Sequence, residues 1–248
     1  MEIVKRFENG RSGSSVFLVE ISGTQLVYKA QIKNVPGVLQ LNNLLPFDRP
    51  DIVDNGSDWI LMQYIPGISM REYFATATQA DLHKLIDFIR QYFDFSIASS
   101  IQMVDYKNTI TDKITALHEF ISPEKIKIDA TVFPRCVVHG DFTFENIIYY
   151  AGKFYMIDLS PGIFDSIYFD ANKFRQDLSG YWFARYETNK QVYIDCCNYI
   201  YNELSRHYDF FNDELYKLMI SRILPYCDRN DTFESNFIGK EIDRICKL

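Results

Sequence analysis

Two aspartates and an asparagine are spaced in this chain as a phosphoryl transfer would need them. The apolar pair Val137-Val138 leads into His139-Gly140-Asp141, Asn146 lies five residues beyond that aspartate, and a second apolar run, Phe154-Tyr155-Met156-Ile157, ends on Asp158. One carboxylate can take the hydrogen bond of an attacking hydroxyl. A carboxylate and a carboxamide oxygen can hold magnesium, a hard cation that takes few protein oxygens and completes its shell with phosphate and water. A Gly-Asp pair alone usually marks a turn; the compound pattern, in a strand–loop–strand setting, carries the reading.

Such groups must be positioned by strands and helices, and the hydropathy pattern supplies both. Val16–Ile21 and Gln25–Ile32 are β-branched, apolar runs joined by Ser22-Gly23-Thr24. Trp59–Ile65 is a third, preceded by Asn55-Gly56-Ser57 and closed by Pro66-Gly67, and Val35–Leu45 has room for a short helix with Pro36 near its first turn. Beyond Pro66-Gly67 the period changes. Thr78 can cap a helix in which Leu82, Leu85, Ile86, Ile89 and Phe93 recur at helical spacing, and Ile110, Ile114, Leu117 and Ile121 repeat the pattern. Short strands are expected at Cys136–His139, Asn146–Tyr150 and Lys153–Ile157, the last two joined by a turn at Ala151-Gly152. Helices are expected over Ala171–Tyr186, Gln191–His207, Asp213–Leu224 and Asn236–Cys246. A β-rich front and a helix-rich remainder predict an α+β chain in two lobes, 1–65 and 66–248, with the ligand cleft between them.

Two features of the front could meet an anion there. The stretch from Asn9 through Gly10, Ser12, Gly13 and Ser14 to Val16 sets glycines and serines between strands. Backbone amides and hydroxyls in such a loop can approach a phosphate, although Gly/Ser loops mostly just join strands. Lys29, inside the apolar run Leu26–Ala30, is either solvated at a sheet edge or aimed at an anion in the cleft. Its place one hairpin after the Gly/Ser loop favours the second.

In this order and spacing the residues resemble the aminoglycoside phosphotransferase and choline kinase-like family, the small-molecule branch of the protein-kinase-like superfamily, from Gly10 to about Trp182. The resemblance implies a bilobal protein-kinase-like fold with a small β-rich N-lobe and a larger helical C-lobe. It implies a nucleotide loop contributing Gly10, Ser12, Gly13 and Ser14, a phosphate-binding Lys29, and a hinge over Met62–Gly67 whose backbone, at Gln63 and Ile65, meets the nucleobase edge. Asp141 is then the catalytic carboxylate, Asn146 and Asp158 are magnesium ligands, His139 fixes the loop, and Asp170 opens the helix after the metal strand. ATP or GTP with Mg2+ are the implied cofactors, and a small-molecule hydroxyl is the acceptor.

Departures from the pattern matter as much. Kinase-like lobes usually pair the strand lysine with a glutamate on the next helix, but Val35–Leu45 offers Gln40, Asn42 and Asn43 and no acid. Lys29 then has a neutral partner, or a glutamate from elsewhere, or the lobe is abbreviated. Glu145 stands before Asn146, where many relatives have a small residue; solvent, a substrate amine or an ion could face it. Acceptor contacts are sought among Asp165, Asp177, Trp182 and the tyrosines of 181–186, each of which could equally be core or surface. Lys173, Arg175 and Asp177 could recognise an anionic or sugar substrate, and a solvated helix face explains them as well.

Composition narrows the field. A net charge of −7 weighs against nucleic acid, whose phosphates need clustered cations, and suits either plain solubility or a cationic acceptor. Five cysteines form no C-x-x-C pair, and Cys136 reads as a packed thiol. No signal-peptide pattern and no membrane span is expected, which makes the cytoplasm the default. The expected activity is ATP-dependent phosphorylation of a small-molecule hydroxyl on a sugar, cell-envelope precursor, amino alcohol or aminoglycoside. The alternative is a nucleotide-binding pseudokinase acting as a regulatory or scaffolding module. A protein kinase fits less well, because Leu159-Ser160-Pro161-Gly162 replaces the usual Phe-Gly and no long activation segment separates Asp158 from Asp170.

Overall fold

The computed structural model describes residues 2–7, 13–227 and 232–247, so Gly10 and Ser12 of the expected nucleotide loop lie outside the described residues. The chain opens with β1 (Glu2–Phe7), β2 (Ser15–Ile21) and β3 (Thr24–Ala30), then α1 (Val35–Leu44), β4 (Ile52–Asn55) and β5 (Trp59–Gln63). These strands make one antiparallel sheet in the order β1-β2-β3-β5-β4. Register sorts its side chains, because partners directly opposite share a face. Lys29 lies between Val16 and Ile60, and Val27 between Leu18 and Met62. The alternate residues Val19, Leu26 and Leu61, with Phe17, Tyr28 and Trp59, pack as a separate apolar cluster on the other face. The Asn34 side chain caps α1 by accepting from Gly37 N–H at 3.0 Å, with Pro36 in the first turn.

After β6 (Ile68–Ser69) come α2 (Met70–Thr76), α3 (Gln79–Ala98), β7 (Gln102–Asp105), α4 (Lys107–Ala116) and β8 (Val132–Arg135). Reciprocal capping boxes, Ser69 with Glu72 and Thr78 with Asp81, start α2 and α3. The periodic residues of α3 are buried as their spacing predicts: Leu85, Ile89 and Phe93 are fully enclosed. They join a large core that takes in Phe74, Phe142, Phe144, Phe174 and Phe183, which accounts for much of the aromatic content. The hairpin β9 (Ile147–Tyr150) and β10 (Lys153–Met156) turns through Ala151 and Gly152, both with positive φ, and β6 pairs with β9. Helices α5 (Ile167–Leu178), α6 (Gln191–Ser205), α7 (Asp213–Ser221) and α8 (Thr232–Ile245) complete the chain.

The expected strand at Cys136–His139 is not one. The strand is the preceding segment, β8, which pairs with β7 and tolerates Pro134 in a two-stranded ribbon. From Cys136 on, the backbone is held mainly by side chains: Val137 N–H donates to Ser99 Oγ at 2.8 Å and His139 N–H to the Tyr92 hydroxyl at 2.8 Å. Burial produced the apolar signal, and side-chain hydrogen bonds took the place of a ladder. The helix expected from Ala171 begins earlier, at Ile167, and ends at Leu178. Among the described residues no helix is long and apolar enough to cross a membrane, and all five cysteines are free.

Candidate active site

The loop that carries Asp141 is fixed from three sides. His139 is fully buried; its Nδ1 accepts from Asp141 N–H at 3.3 Å and its Nε2 donates to the Ile157 carbonyl at 2.8 Å. Both ring nitrogens are thereby occupied, which makes His139 a fastener between the loop and the end of β10. Gly140 follows with φ +84°, and a Cβ there would stand 1.8 Å from the Ser160 carbonyl oxygen. Ser160 N–H in turn donates to the His139 carbonyl at 2.9 Å. Only glycine fits between these two backbone segments, and their contact sets where Asp141 and Asp158 stand relative to one another.

The second support is the first turn of α5. Asp170, 2% exposed, accepts the Tyr92 hydroxyl at one oxygen and Phe142 N–H at 3.1 Å at the other. Because the same Tyr92 oxygen accepts from His139 N–H, one buried tyrosine links the backbone before Asp141 to the carboxylate that holds the backbone after it. The third support is Asp177, two turns further along α5, whose Oδ2 accepts Phe144 N–H at 2.9 Å. Its other oxygen has no partner among the described residues, and burial, aided by the nearby Glu145 charge, pushes its carboxyl up to about 7. Asp177 thus holds the loop from behind and does not line an acceptor pocket.

Asp141 projects from this frame into the cleft, with its side chain 40% exposed. Asn146 Nδ2 donates to the Asp141 carbonyl at 2.8 Å and to its Oδ2 at 3.2 Å, leaving the Asn146 carboxamide oxygen for another ligand. Lys173, one turn beyond Asp170 on α5, places Nζ 3.2 Å from Asp141 Oδ1. Burial pushes the Asp141 carboxyl up, but the Lys173 ammonium, with smaller contributions from His139 and Arg222, outweighs it, and the group sits below its usual range. It is therefore ionised at neutral pH.

Lys29 reaches across from β3 and donates to Asp158 Oδ1. The missing glutamate of α1 is thus replaced by an aspartate of the opposite lobe, a partner outside the alternatives the sequence offered. Asp158 has φ +59°, a left-handed backbone that aspartate tolerates better than most side chains. A cavity of about 290 Å³ lies between the sheet and the C-lobe, and Ser14, Lys29, Met62, Asp141, Met156 and Asp158 all line it. Gly13, Gln63, Ile65 and Asn146 lie outside that lining. Gly13 keeps a positive φ of +79°, and Ile65, whose side chain is buried, spends neither backbone N–H nor C=O on any described residue. Gln63 N–H is already committed to the Asp51 carbonyl at 2.8 Å, so of the two residues expected at the nucleobase edge Ile65 is the one with its backbone N–H free among the described residues.

The donor set fits magnesium. Asp158 and Asn146 present hard oxygen ligands, and among the described residues no cluster of three or more His, Cys, Asp or Glu could enclose a metal. Such a cation would be held only with phosphate oxygens completing its shell. The other acceptor-side expectations resolve into structure. Asp165 accepts from Arg135 Nε at 2.5 Å and from Tyr106 at 2.7 Å, and Trp182 is buried beneath the Arg185 guanidinium at 4.0 Å. Arg175 is paired with Asp213 and sits over Tyr216, and Glu145 pairs with Arg71 and Arg185, both at 3.3 Å. Tyr92 escaped sequence reasoning because it sits on the apolar stripe of α3, between Ile89 and Phe93, where a tyrosine reads as core.

No family model matches the chain, and no curated protein does. Solved structures do match it along its whole length. A thermostable mutant of aminoglycoside phosphotransferase APH(4)-Ia is 12% identical, with coverage of 98% of this chain and 93% of the other, at a TM-score of 0.64. A putative fructosamine-3-kinase from Thermobifida fusca is 12% identical over 100% of this chain and 95% of its own, with a TM-score of 0.55. APH(2")-IIa, in a ternary complex with streptomycin and ATP, is 15% identical over 100% and 92%, with a TM-score of 0.53. At these identities the likeness is one of fold, and the chain has the protein-kinase-like fold of the small-molecule phosphotransferases.

Proposed function

We propose that the protein transfers the γ-phosphoryl group of a magnesium nucleotide, ATP or GTP, to a hydroxyl of a small molecule. The observation that carries this reading is that Ser14, Lys29, Asp141 and Asp158 line one cavity although they come from four separate segments of the chain. Residues 1–65 would serve as the nucleotide lobe and 66–248 as the catalytic and acceptor lobe. Ser14 and Gly13 would face the phosphates, Lys29 would neutralise their charge, and the hinge backbone around Gln63 and Ile65 would meet the base. Magnesium, when bound by Asp158 and Asn146, supplies charge neutralisation at the phosphates.

Asp141 orients the acceptor hydroxyl for in-line attack. The acceptor oxygen forms its bond to the γ-phosphorus, the bond to the β–γ bridging oxygen breaks, and the nucleoside diphosphate leaves with that electron pair. The acceptor proton goes to the Asp141 carboxylate. A carboxylate of low basicity suffices, because phosphoryl transfer proceeds through a loose transition state in which positioning and charge dominate. With both ring nitrogens occupied, His139 is spared from proton transfer and keeps the loop rigid.

The test is a melting curve with magnesium plus ATP, GTP or neither, run on the wild type and on Asp158→Ala. A nucleotide that binds the folded state at about 100 times its dissociation constant adds about 2.7 kcal/mol of stability. A magnesium-dependent rise that Asp158→Ala abolishes supports the reading, and Asp141→Asn should keep the rise while losing about 10²–10⁴ in turnover. A rise indifferent to magnesium would point instead to a nucleotide-binding module. No rise with either nucleotide sinks the proposal.

A further inference from the structure

Two cations from outside the catalytic loop attend Asp141, and they differ in what holds them. Lys173 is paired with Asp141 itself at 3.2 Å and is 16% exposed. Arg222, at the C-terminal cap of α7, is half-buried and has no carboxylate within ion-pair distance among the described residues. Its Nη1 meets only Met219 Sδ, at 3.4 Å, and its guanidinium lies 5.1 Å from the centre of the Phe164 ring. Every other described arginine of the C-lobe, Arg71, Arg90, Arg135, Arg175, Arg185, Arg206 and Arg244, is paired with an Asp or Glu. A half-buried cation without an anion is destabilising, and arginine does not escape the cost by losing its proton.

Its position says where an anion would go. Phe164, the ring beneath it, belongs to the segment between Asp158 and α5 and packs at 4.4 Å on Phe169, the neighbour of Asp170. Arg222 therefore stands on the segment that flanks the catalytic loop, near enough for its charge to act on both Asp141 and Asp170. Lys173 is paired directly with Asp141, so Arg222 is the cation on this side of the loop that touches no carboxylate among the described residues.

We propose that the acceptor is an anionic alcohol, whose carboxylate or phosphate is bound by Arg222 while its hydroxyl takes the place of Lys173 at Asp141. This rests on the phosphotransfer reading above. Once displaced from Asp141, the Lys173 ammonium lies beside the attacking oxygen, where it can follow the negative charge of the moving phosphoryl group. Arg222 is a specificity residue in this scheme: it touches the acceptor's anionic end and takes no part in bond making.

The experiment uses the full chain saturated with Mg·AMP-PNP, so that the nucleotide phosphates are already in place. Inorganic phosphate and acetate are then added as probes, and melting temperatures are read for the wild type, Arg222→Gln and Arg222→Met. Without probes, both variants should melt about 2–4 °C above the wild type, because an unpaired charge has been removed. Phosphate should raise the wild-type melting temperature and leave both variants where they are. A matching response to acetate identifies a carboxylate-bearing acceptor, and a response to phosphate alone identifies a phosphorylated one. Variants that melt below the wild type, or a phosphate response that survives without Arg222, overturn the inference. So does a rise with cationic hygromycin B that is indifferent to Arg222. Failure of Mg·AMP-PNP itself to stabilise the protein sinks the phosphotransfer reading, whereas its success without an Arg222-dependent anion response sinks only this inference.

Discussion

Replacing Asp177 by asparagine should make the protein less sensitive to pH between about 4 and 7. Asp177 is fully buried on α5, with one oxygen on Phe144 N–H at 2.9 Å and the other without a partner among the described residues. Burial, reinforced by Glu145, raises its carboxyl from the usual 3.8 to about 7. In that window the folded state keeps a proton that the unfolded chain has released, so the unfolded state binds fewer protons and stability falls as pH rises. The loss is complete above about 7. A shift of about three units at 1.36 kcal/mol per unit amounts to about 4 kcal/mol, an order of magnitude for one buried group. Asparagine preserves the acceptor for Phe144 N–H and never ionises. Urea unfolding at pH 4.5, 6 and 8 should show the stability of Asp177→Asn relative to wild type improving by several kcal/mol from the lowest to the highest pH, provided both unfold in one transition. A difference between the two proteins that stays constant within about 1 kcal/mol over that range would mean that Lys173 and Arg185 keep Asp177 ionised in the fold, and the argument would be wrong.

Three further outcomes follow from the site geometry. Gly140→Ala should cost about 3 kcal/mol or more and abolish turnover, since the added carbon meets a backbone oxygen at 1.8 Å and φ is +84°; calorimetry beside an activity assay reads both, and a variant with native stability would refute the backbone clamp. Lys173→Met removes the nearest charge that holds the Asp141 carboxyl low, so the acid limb of kcat/KM should move to higher pH; an unmoved limb would show that Lys173 does not govern the group. Lys29→Met frees the Asp158 oxygen it now occupies and removes a phosphate partner, so free-magnesium binding should strengthen while nucleotide binding weakens in titration calorimetry. Parallel weakening of both would contradict that competition.

Much of the site was legible because it depends on residue type at short range. The spacing from Asp141 to Asn146 is set within one loop, and the hydrogen bonds between them need only five residues to close. The helical stripe of α3, the cap at Thr78 and the Ala151-Gly152 turn were readable for the same reason: each is decided by neighbours in sequence. What escaped depends on contacts at long range. Tyr92 binds Asp170 across 78 positions and Lys29 binds Asp158 across 129, and no local pattern announces either. Asp177 illustrates the ambiguity most sharply. As one charge in a dense stretch it suited a substrate contact or a solvated face, and burial turned it into a support for the loop backbone.

The Lys29–Asp158 pair also changes what the absent helix glutamate means. A lysine in the middle strand of a small sheet needs an anion to hold its ammonium over the cleft, and a glutamate on the next helix would provide one from the same lobe. Here α1 carries none, and the anion comes from the other lobe, on the residue that would offer oxygen to a metal in the proposed reaction. A same-lobe partner would keep the lysine oriented whether or not ligand is present. A partner in the opposite lobe ties the lysine to the position of the two lobes, and a metal and phosphates bound as proposed would divide the pair between them. On the proposed reading Asp158 would turn to the cation and Lys29 to the phosphate, with each charge still compensated. The missing acid is therefore poor grounds for reading the lobe as inert, because both members of the pair remain where nucleotide chemistry would use them.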